Sequence, residues 1–136
     1  MLPTKSFEEI LQKFKDIKFE ENFDMVVAIA NGGIIPAAII NQRLNVEMNL
    51  LKINLRDPNQ KPKFDTPQLL EPINFDFKNK TILLVEDRVK TGATVKLAVT
   101  LLQDAATVKT FAVNGEADYS YTTKLVSAFR GLYEKI

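Results

Sequence analysis

The stretch from Thr81 to Thr94, TILLVEDRVKTGAT, ends an apolar run in two adjacent carboxylates, Glu86 and Asp87, and follows them with a hydroxyl-rich turn around one glycine. An acid pair in that position can hold sugar hydroxyls, a hard divalent cation, or both. Thr91, Gly92, Ala93 and Thr94 can close main-chain N–H groups and two hydroxyls around a phosphate, because glycine admits the backbone angles that an anion-enclosing turn needs. Carboxylates repel phosphate, so the two halves of the motif must address different parts of one ligand. The same residues also suit a plainer arrangement, in which the acids solvate a strand end and Thr91 caps a helix. Spacing alone leaves both open.

Other chemistry is excluded by what the chain lacks. It has no histidine and no cysteine, so neither a Ser-His-Asp or Cys-His nucleophile system nor a zinc site of the usual nitrogen and sulfur kind can be built. A metal would have to sit on oxygen ligands, which points to magnesium, calcium or manganese. Lysine and arginine total 18 against 17 aspartates and glutamates, and a net charge of +1 offers no footprint for sequence-independent nucleic-acid binding. The five glycines do not form G-x-G-x-x-G, and Gly92 is not followed by Lys-Ser/Thr, so dinucleotide and Walker-type ATP binding find no support.

The elements that must position the motif can be read from periodicity. With 136 residues, 46% of them hydrophobic, the chain reads as a single domain over 1–136, with a small hood from about Asn114 onward. Ser6-Phe7-Glu8-Glu9 has capping-box spacing, and Phe7, Ile10, Leu11, Phe14 and Ile17 follow at helical intervals, so a helix is expected over about Ser6 to Lys18. Phe23 to Ala30 reads as a strand buried on both faces and stops at Asn31-Gly32-Gly33. A helix over Ile34 to Leu44 tolerates Pro36 because it lies in the first turn. A second strand over Val46 to Leu55 puts Lys52, Asn54 and Arg56 on one face.

The proline-rich stretch to about Phe77, which includes Lys61 and Lys63, is long for a connection and reads as a functional loop or flap. Thr81 to Val85 is expected as a strand stopped by Glu86-Asp87, Thr91 to Asp104 as a helix and Val108 to Val113 as a further strand. This alternation predicts an α/β fold: an open parallel sheet with helices on both faces. In such sheets ligands collect beyond the carboxyl ends of the strands, where Glu86 and Asp87 stand. The most apolar stretch, Met25 to Ile40, is broken by Asn31-Gly32-Gly33 and Pro36 and is not a spanning helix, and no signal-peptide core opens the chain. A soluble, reducing, cytoplasmic setting without membrane partners is the expectation.

VEDRVKTGAT resembles the phosphoribosyl-pyrophosphate (PRPP) signature of type I phosphoribosyltransferases: an apolar strand, two acids, a variable triplet, then Thr-Gly-x-Thr. VVAIANGGIIPA, at Val26 to Ala37, is similar to that family's pyrophosphate loop, and GEADYS, at Gly115 to Ser120, to the start of the hood in the xanthine/guanine branch. The resemblance implies transfer of the 5-phosphoribosyl group from PRPP to a nucleobase of the purine class, with release of pyrophosphate and with magnesium as cofactor. It implies that Glu86 and Asp87 bind ribose hydroxyls and magnesium, and that Lys90, Thr91, Gly92, Ala93 and Thr94 cradle the 5′-phosphate. It further implies that Asn31, Gly32 and Gly33 address pyrophosphate with help from Lys52 and Arg56, with catalytic roles at Asp87 and Lys90. The family often holds a non-proline peptide in cis in this loop, for which Ala30–Asn31 is the candidate, and it commonly forms homodimers near the same loop.

Two departures from the pattern carry weight. Many relatives have a basic residue where this chain has Asn31, and the hypoxanthine/guanine and xanthine branches have an aspartate where it has Lys90. Lysine beside a 5′-phosphate is an anion contact but a poor base unless burial lowers its pKa. The hood lacks tryptophan, which leaves Tyr119, Phe129 and Tyr133 as candidates to stack on a base. These departures suit a second reading, a relative that senses PRPP or a nucleotide with little turnover. A response-regulator-like domain shares the topology but leaves Thr91-Gly92-Ala93-Thr94 unexplained.

Overall fold

A computed structural model describes residues 7–54, 66–89 and 91–121. Its elements are α1 (Phe7–Asp16), β1 (Met25–Ala30), α2 (Ile34–Leu44), β2 (Glu47–Asn54), β3 (Gln68–Leu69), β4 (Thr81–Arg88), α3 (Ala93–Leu101), β5 (Thr107–Asn114) and β6 (Tyr119–Ser120). They form one six-stranded sheet in the order β3-β2-β1-β4-β5-β6, parallel throughout except for the antiparallel β2–β3 pair. The all-apolar strands lie at its centre because a strand covered on both faces has no solvent side on which to place a polar residue. Met25, Val26, Val27 and Ala28 are accordingly inaccessible to solvent.

Two hydrophobic layers sandwich the sheet. Phe14 of α1 and Ala37 and Ile40 of α2 pack with Val26, Ala28, Leu83, Val85, Phe111 and Val113 on one face. Ala98 of α3 and Leu102 pack with Met25, Val27, Ile29, Ile82 and Leu84 on the other. The β1–α2–β2 unit therefore uses one face and β4–α3–β5 the other, so the winding reverses between the adjacent strands β1 and β4. The crevice beyond the carboxyl ends of those two strands is where such sheets take ligands. Asp24 ties their other ends together: it accepts the Thr81 N–H on its carboxylate at 2.8 Å and donates its own N–H to the Thr81 carbonyl at 2.8 Å.

The structure departs from periodicity at several boundaries. The first helix ends at Asp16 rather than Lys18, and the capping residue Ser6 lies outside the described residues. Strand β4 does not stop at Glu86 but runs through Arg88, because β5 offers partners that far, with Glu86 opposite Ala112 and Arg88 opposite Asn114. Local polarity is outweighed by the neighbouring strand's hydrogen bonds. Helix α3 spans Ala93–Leu101, shorter at both ends than expected.

Within the proline-rich segment, 55–65 lies outside the described residues, but the remainder is more than a free flap. It pairs briefly as β3 and packs Ile73, Phe75 and Phe77 onto the α3-side layer. The start of the presumed hood is likewise tied to the sheet, since Tyr119 and Ser120 pair in parallel with Phe111 and Ala112. Among the described residues, no helix is long and apolar enough to cross a membrane.

Candidate functional site

Two loops flank the crevice between β1 and β4. The first leaves β1 through a cis peptide bond between Ala30 and Asn31, at the position expected for one. Asn31, Gly32 and Gly33 then turn directly into α2, and Gly33 spends its N–H on the Ile29 carbonyl at 2.8 Å. Gly33 is thus not a free donor; its role is close packing. Its φ of −80° is ordinary for any residue, but a Cβ there would collide with the Val85 carbonyl oxygen and stand 2.8 Å from that of Ile29. Asn31 and Gly32 remain exposed on the outer side of the turn.

The second loop follows β4. Because the strand continues through the acid pair, its side chains alternate between faces. Asp87 lies on the α2 side with Leu83 and Val85, whereas Glu86 lies on the α3 side with Ile82 and Leu84. Asp87 meets the first loop: a Cβ on Gly32 would stand 3.0 Å from the Asp87 Cβ, so only glycine leaves the carboxylate its place. Glu86, on the α3 face, accepts the Asp87 N–H at 2.8 Å. The acid pair therefore places one carboxylate on each face of the sheet, with Asp87 against the first loop.

Helix α3 begins at Gly92, whose φ of 84° lies in the left-handed region. The Thr91 hydroxyl accepts the Ala93 N–H at 3.3 Å, while no side chain caps the helix and its first turn holds no acid. The amides following Ala93 are left for an anion, which the helix dipole also favours. Lys90, Arg56, Phe129 and Tyr133 lie outside the described residues.

Two further candidates are engaged elsewhere. The Lys52 ammonium pairs with Glu71 at 3.1 Å, on the side of the sheet where β2 meets β3. Tyr119 packs edge-on against Phe19 at 4.8 Å, its hydroxyl donates to the Glu21 carboxylate, and it accepts the Glu20 N–H at 3.1 Å. Its ring and its hydroxyl are thus both engaged with the segment between α1 and β1.

Residues 5–113 match the family described as Phosphoribosyl transferase domain. The chain belongs to that family. An adenine phosphoribosyltransferase from Campylobacter fetus subsp. fetus is 30% identical over 111 residues, covering 73% of this chain and 59% of its own. An orotate phosphoribosyltransferase from Sulfurisphaera tokodaii is 30% identical over 92 residues, 68% of this chain and 40% of its own. The chain thus spans about half the length of the curated relatives it matches. Equal identity to adenine and orotate enzymes places it among phosphoribosyl transferase domains without selecting the xanthine/guanine branch that GEADYS resembles.

Among solved structures, a purine phosphoribosyltransferase from Pyrococcus horikoshii Ot3 superposes with a TM-score of 0.70 at 20% identity, covering 85% of this chain and 83% of that one. A hypothetical protein from Neisseria gonorrhoeae with bound ppGpp gives a TM-score of 0.66 at 15% identity, covering 96% and 94%. These likenesses establish the fold of a phosphoribosyl transferase domain.

The electrostatics of the acid pair in this phosphoribosyl transferase domain are strained toward neutrality. Burial pushes the Glu86 carboxyl from its ordinary 4.5 up to about 7; the Asp87 N–H works against the rise and the neighbouring Asp87 charge adds to it. Asp87, which keeps more solvent contact, is also raised by burial and is held back by the Arg88 guanidinium. A carboxyl raised in the folded state binds its proton more tightly there than in the unfolded chain. Between about pH 4.5 and 7 the folded protein therefore carries the extra proton, and Glu86 makes stability fall as pH rises through that window. The expected result is a Tm that declines more steeply from pH 5 to 7 than that of Glu86→Gln, measured side by side; parallel profiles would contradict it.

Sequence reading passed over two residues beside the pair. Arg88 and Asn114 stand opposite each other in register at the ends of β4 and β5. The usable signal for Asn114 is one polar residue closing a strand whose last four positions are all buried.

Proposed function

We propose that the protein transfers the 5-phosphoribosyl group of PRPP to a nucleobase of the purine class and releases pyrophosphate. The observation that carries this reading is the placement of Asp87 against Gly32 and of Glu86 toward α3, which sets an acid pair between two amide-lined loops at the switch point of the sheet. A sugar diol flanked by two phosphate groups has that same order of chemistry. In the proposed complex the 5′-phosphate is held by Thr91 and the open amides of α3, with Lys90 as an anion contact. The ribose hydroxyls are held by Glu86 and Asp87, and the pyrophosphate faces the exposed amides of Asn31 and Gly32. Displacement at C1 makes the ring carbon positive and the leaving group negative. Fixed amide dipoles on one side and carboxylates on the other favour that separation without reorganising during the reaction.

The donor set suits magnesium. Among the described residues no three acids converge into a cage, and the chain offers one or two carboxylates, as magnesium sites completed by substrate phosphate oxygens do. Glu86 and Asp87 would hold it, and a cation there would favour the charged form of a Glu86 carboxyl that burial, with a smaller contribution from the Asp87 charge, pushes toward neutrality. When bound, it would supply charge neutralisation at the pyrophosphate. A cytoplasmic, homodimeric protein without nucleic-acid or membrane partners completes the proposal.

A second reading, PRPP or nucleotide sensing with little turnover, is favoured by Lys90 and Asn31 and by the ppGpp-bound protein that matches nearly the whole chain. The deciding experiment supplies PRPP, magnesium and a panel of purine and pyrimidine bases, and follows pyrophosphate release beside a calorimetric PRPP titration. Release with a purine is the expected result. Tight PRPP binding without release for any base would replace the enzyme with the sensor, and no PRPP binding would end both readings.

A further inference from the structure

The chain contains two Asn-Gly pairs, Asn31-Gly32 and Asn114-Gly115. Such a pair carries its own chemistry, because the main-chain nitrogen of the glycine, with no Cβ beside it, can attack the asparagine side-chain carbonyl and expel ammonia. In a folded protein the attack requires that the asparagine carboxamide and the glycine N–H be free and that the backbone between them can turn. The fold meets that requirement in opposite ways at the two places.

Asn114 is buried at the end of β5, with 9% of its surface exposed, and stands in register with Arg88. Its carbonyl accepts the Val89 N–H at 2.9 Å, and Gly115 lies so close to Val89 that a Cβ would stand 3.0 Å from the valine Cβ. The Gly115 carbonyl accepts the Ser120 hydroxyl at 3.1 Å, so the backbone is fixed on both sides of the susceptible bond. Asn31 and Gly32, by contrast, are exposed. The hydrogen bonds of their turn run from the Gly33 N–H to the Ile29 carbonyl at 2.8 Å and from the Ile34 N–H to the Asn31 carbonyl at 3.1 Å. Among the described residues, neither the Asn31 carboxamide nor the Gly32 N–H takes part in one. Nor can the chain replace Gly32 to protect its neighbour, since a Cβ there would stand 3.0 Å from the Asp87 Cβ.

We propose that Asn31 is a deamidation site whose conversion switches off the loop that faces pyrophosphate. The Gly32 nitrogen bonds to Asn31 Cγ, the Cγ–Nδ2 bond breaks, and ammonia leaves with the proton that the main-chain nitrogen gives up. Water then opens the succinimide ring. Breaking the new N–Cγ bond leaves an aspartate at this position, and breaking the original peptide bond leaves an isoaspartate, which carries the main chain through Cγ and lengthens the turn between β1 and α2. Either product sets a carboxylate where the proposed complex places pyrophosphate, and like charges oppose binding. That consequence rests on the phosphoribosyl transfer reading, whereas the modification itself does not.

The test ages the full-length protein at mildly alkaline pH, with and without denaturing urea. Mass spectrometry follows tryptic peptides 19–43 and 110–124, with fragmentation to separate Asn31 from Asn22 and Asn41. In the folded protein Asn31 is expected to convert at least about tenfold faster than Asn114, and in urea the two rates should converge. Asn31 no faster than Asn114 in the folded protein, or both intact there while converting in urea, would overturn the proposal. Calorimetric PRPP titration with magnesium reads the consequence: binding capacity should fall in step with the converted fraction, and Asn31→Asp should bind PRPP about tenfold or more weakly than fresh wild type. Asn31→Gln, whose longer side chain would have to close a larger and less favourable ring, should keep through ageing whatever affinity it starts with. Full PRPP affinity after conversion or in Asn31→Asp, or an Asn31→Gln protein that decays at the wild-type rate, would overturn the switch. Fresh wild-type protein that binds no PRPP would remove the phosphoribosyl reading and the switch with it, while the peptide masses still decide the modification.

Discussion

Gly33→Ala is expected to destabilise the protein by about 3 kcal/mol or more, a large share of the 5 to 15 kcal/mol typical of a domain. The reason is space rather than conformation. The residue sits at a φ of −80°, which alanine adopts readily, but the added methyl group would press on the backbone carbonyls of Val85 in β4 and Ile29 in β1. Those two strands are the buried centre of the sheet and pair from Met25 opposite Ile82 to Ala28 opposite Val85. Neither carbonyl can retreat without breaking that ladder, and no flexible side chain is available to give way.

Gly92→Ala supplies the contrast. Gly92 requires a φ of 84°, but nothing lies within 4 Å of where its Cβ would be. Its cost is the left-handed penalty alone, about 1 kcal/mol. Urea unfolding of the two variants beside wild type measures the difference through the shift in midpoint at constant slope. A Gly33→Ala protein within 0.5 kcal/mol of wild type, roughly the scatter of neutral surface changes, would show that β1 and β4 are not held at this distance.

Asp87→Asn is the second large effect, and it acts on function rather than folding. In the proposed complex Asp87 is a charged partner of the ribose diol and of magnesium, and the loss of a charged hydrogen-bond acceptor there is expected to weaken PRPP binding about 100-fold. Stability is expected to hold or rise slightly, because the substitution removes one of two neighbouring acids that burial already pushes toward neutrality. The Glu86 pKa should fall toward its ordinary value in the same variant, since the Asp87 charge contributes to its rise. Titration with PRPP at several magnesium concentrations reads the first effect and thermal unfolding the second. Unchanged affinity and an unchanged metal response would remove Asp87 from the site.

The two predictions draw on different levels of structure. The acids, the hydroxyl-rich turn and the glycine loop stand out in sequence because each is a local departure from an apolar strand, and strands β1 and β4 are recognisable because burial on both faces leaves no alternation. Helix α2 matches its expected bounds, Ile34–Leu44, for a similar local reason: Asn45 adopts the left-handed conformation that closes a helix, with a φ of 54°, and the Asn41 carboxamide holds the Val46 N–H and carbonyl at 3.0 and 2.9 Å. Tyr119 illustrates the opposite case. An aromatic residue in the hood pattern is a reasonable base stacker, but its partners, Phe19, Glu20 and Glu21, come from the other end of the described chain and no periodicity foretells them.

Residue order by itself determined the alternation of strand and helix, the absence of histidine and cysteine chemistry, and the presence of an acid pair and an anion-binding turn, because each depends on side-chain type and short-range spacing. Tertiary structure alone decided that Asp87 rests on Gly32 while Glu86 lies on the α3 face, that Gly33 is a packing residue whose amide is already used, and that Asn114 is buried at the end of β5. These facts follow from β4 pairing with β1 on one side and with β5 through Arg88 and Asn114 on the other. Strand pairing depends on hydrogen bonds and burial between distant segments, and those contacts carry no periodic signature in the chain.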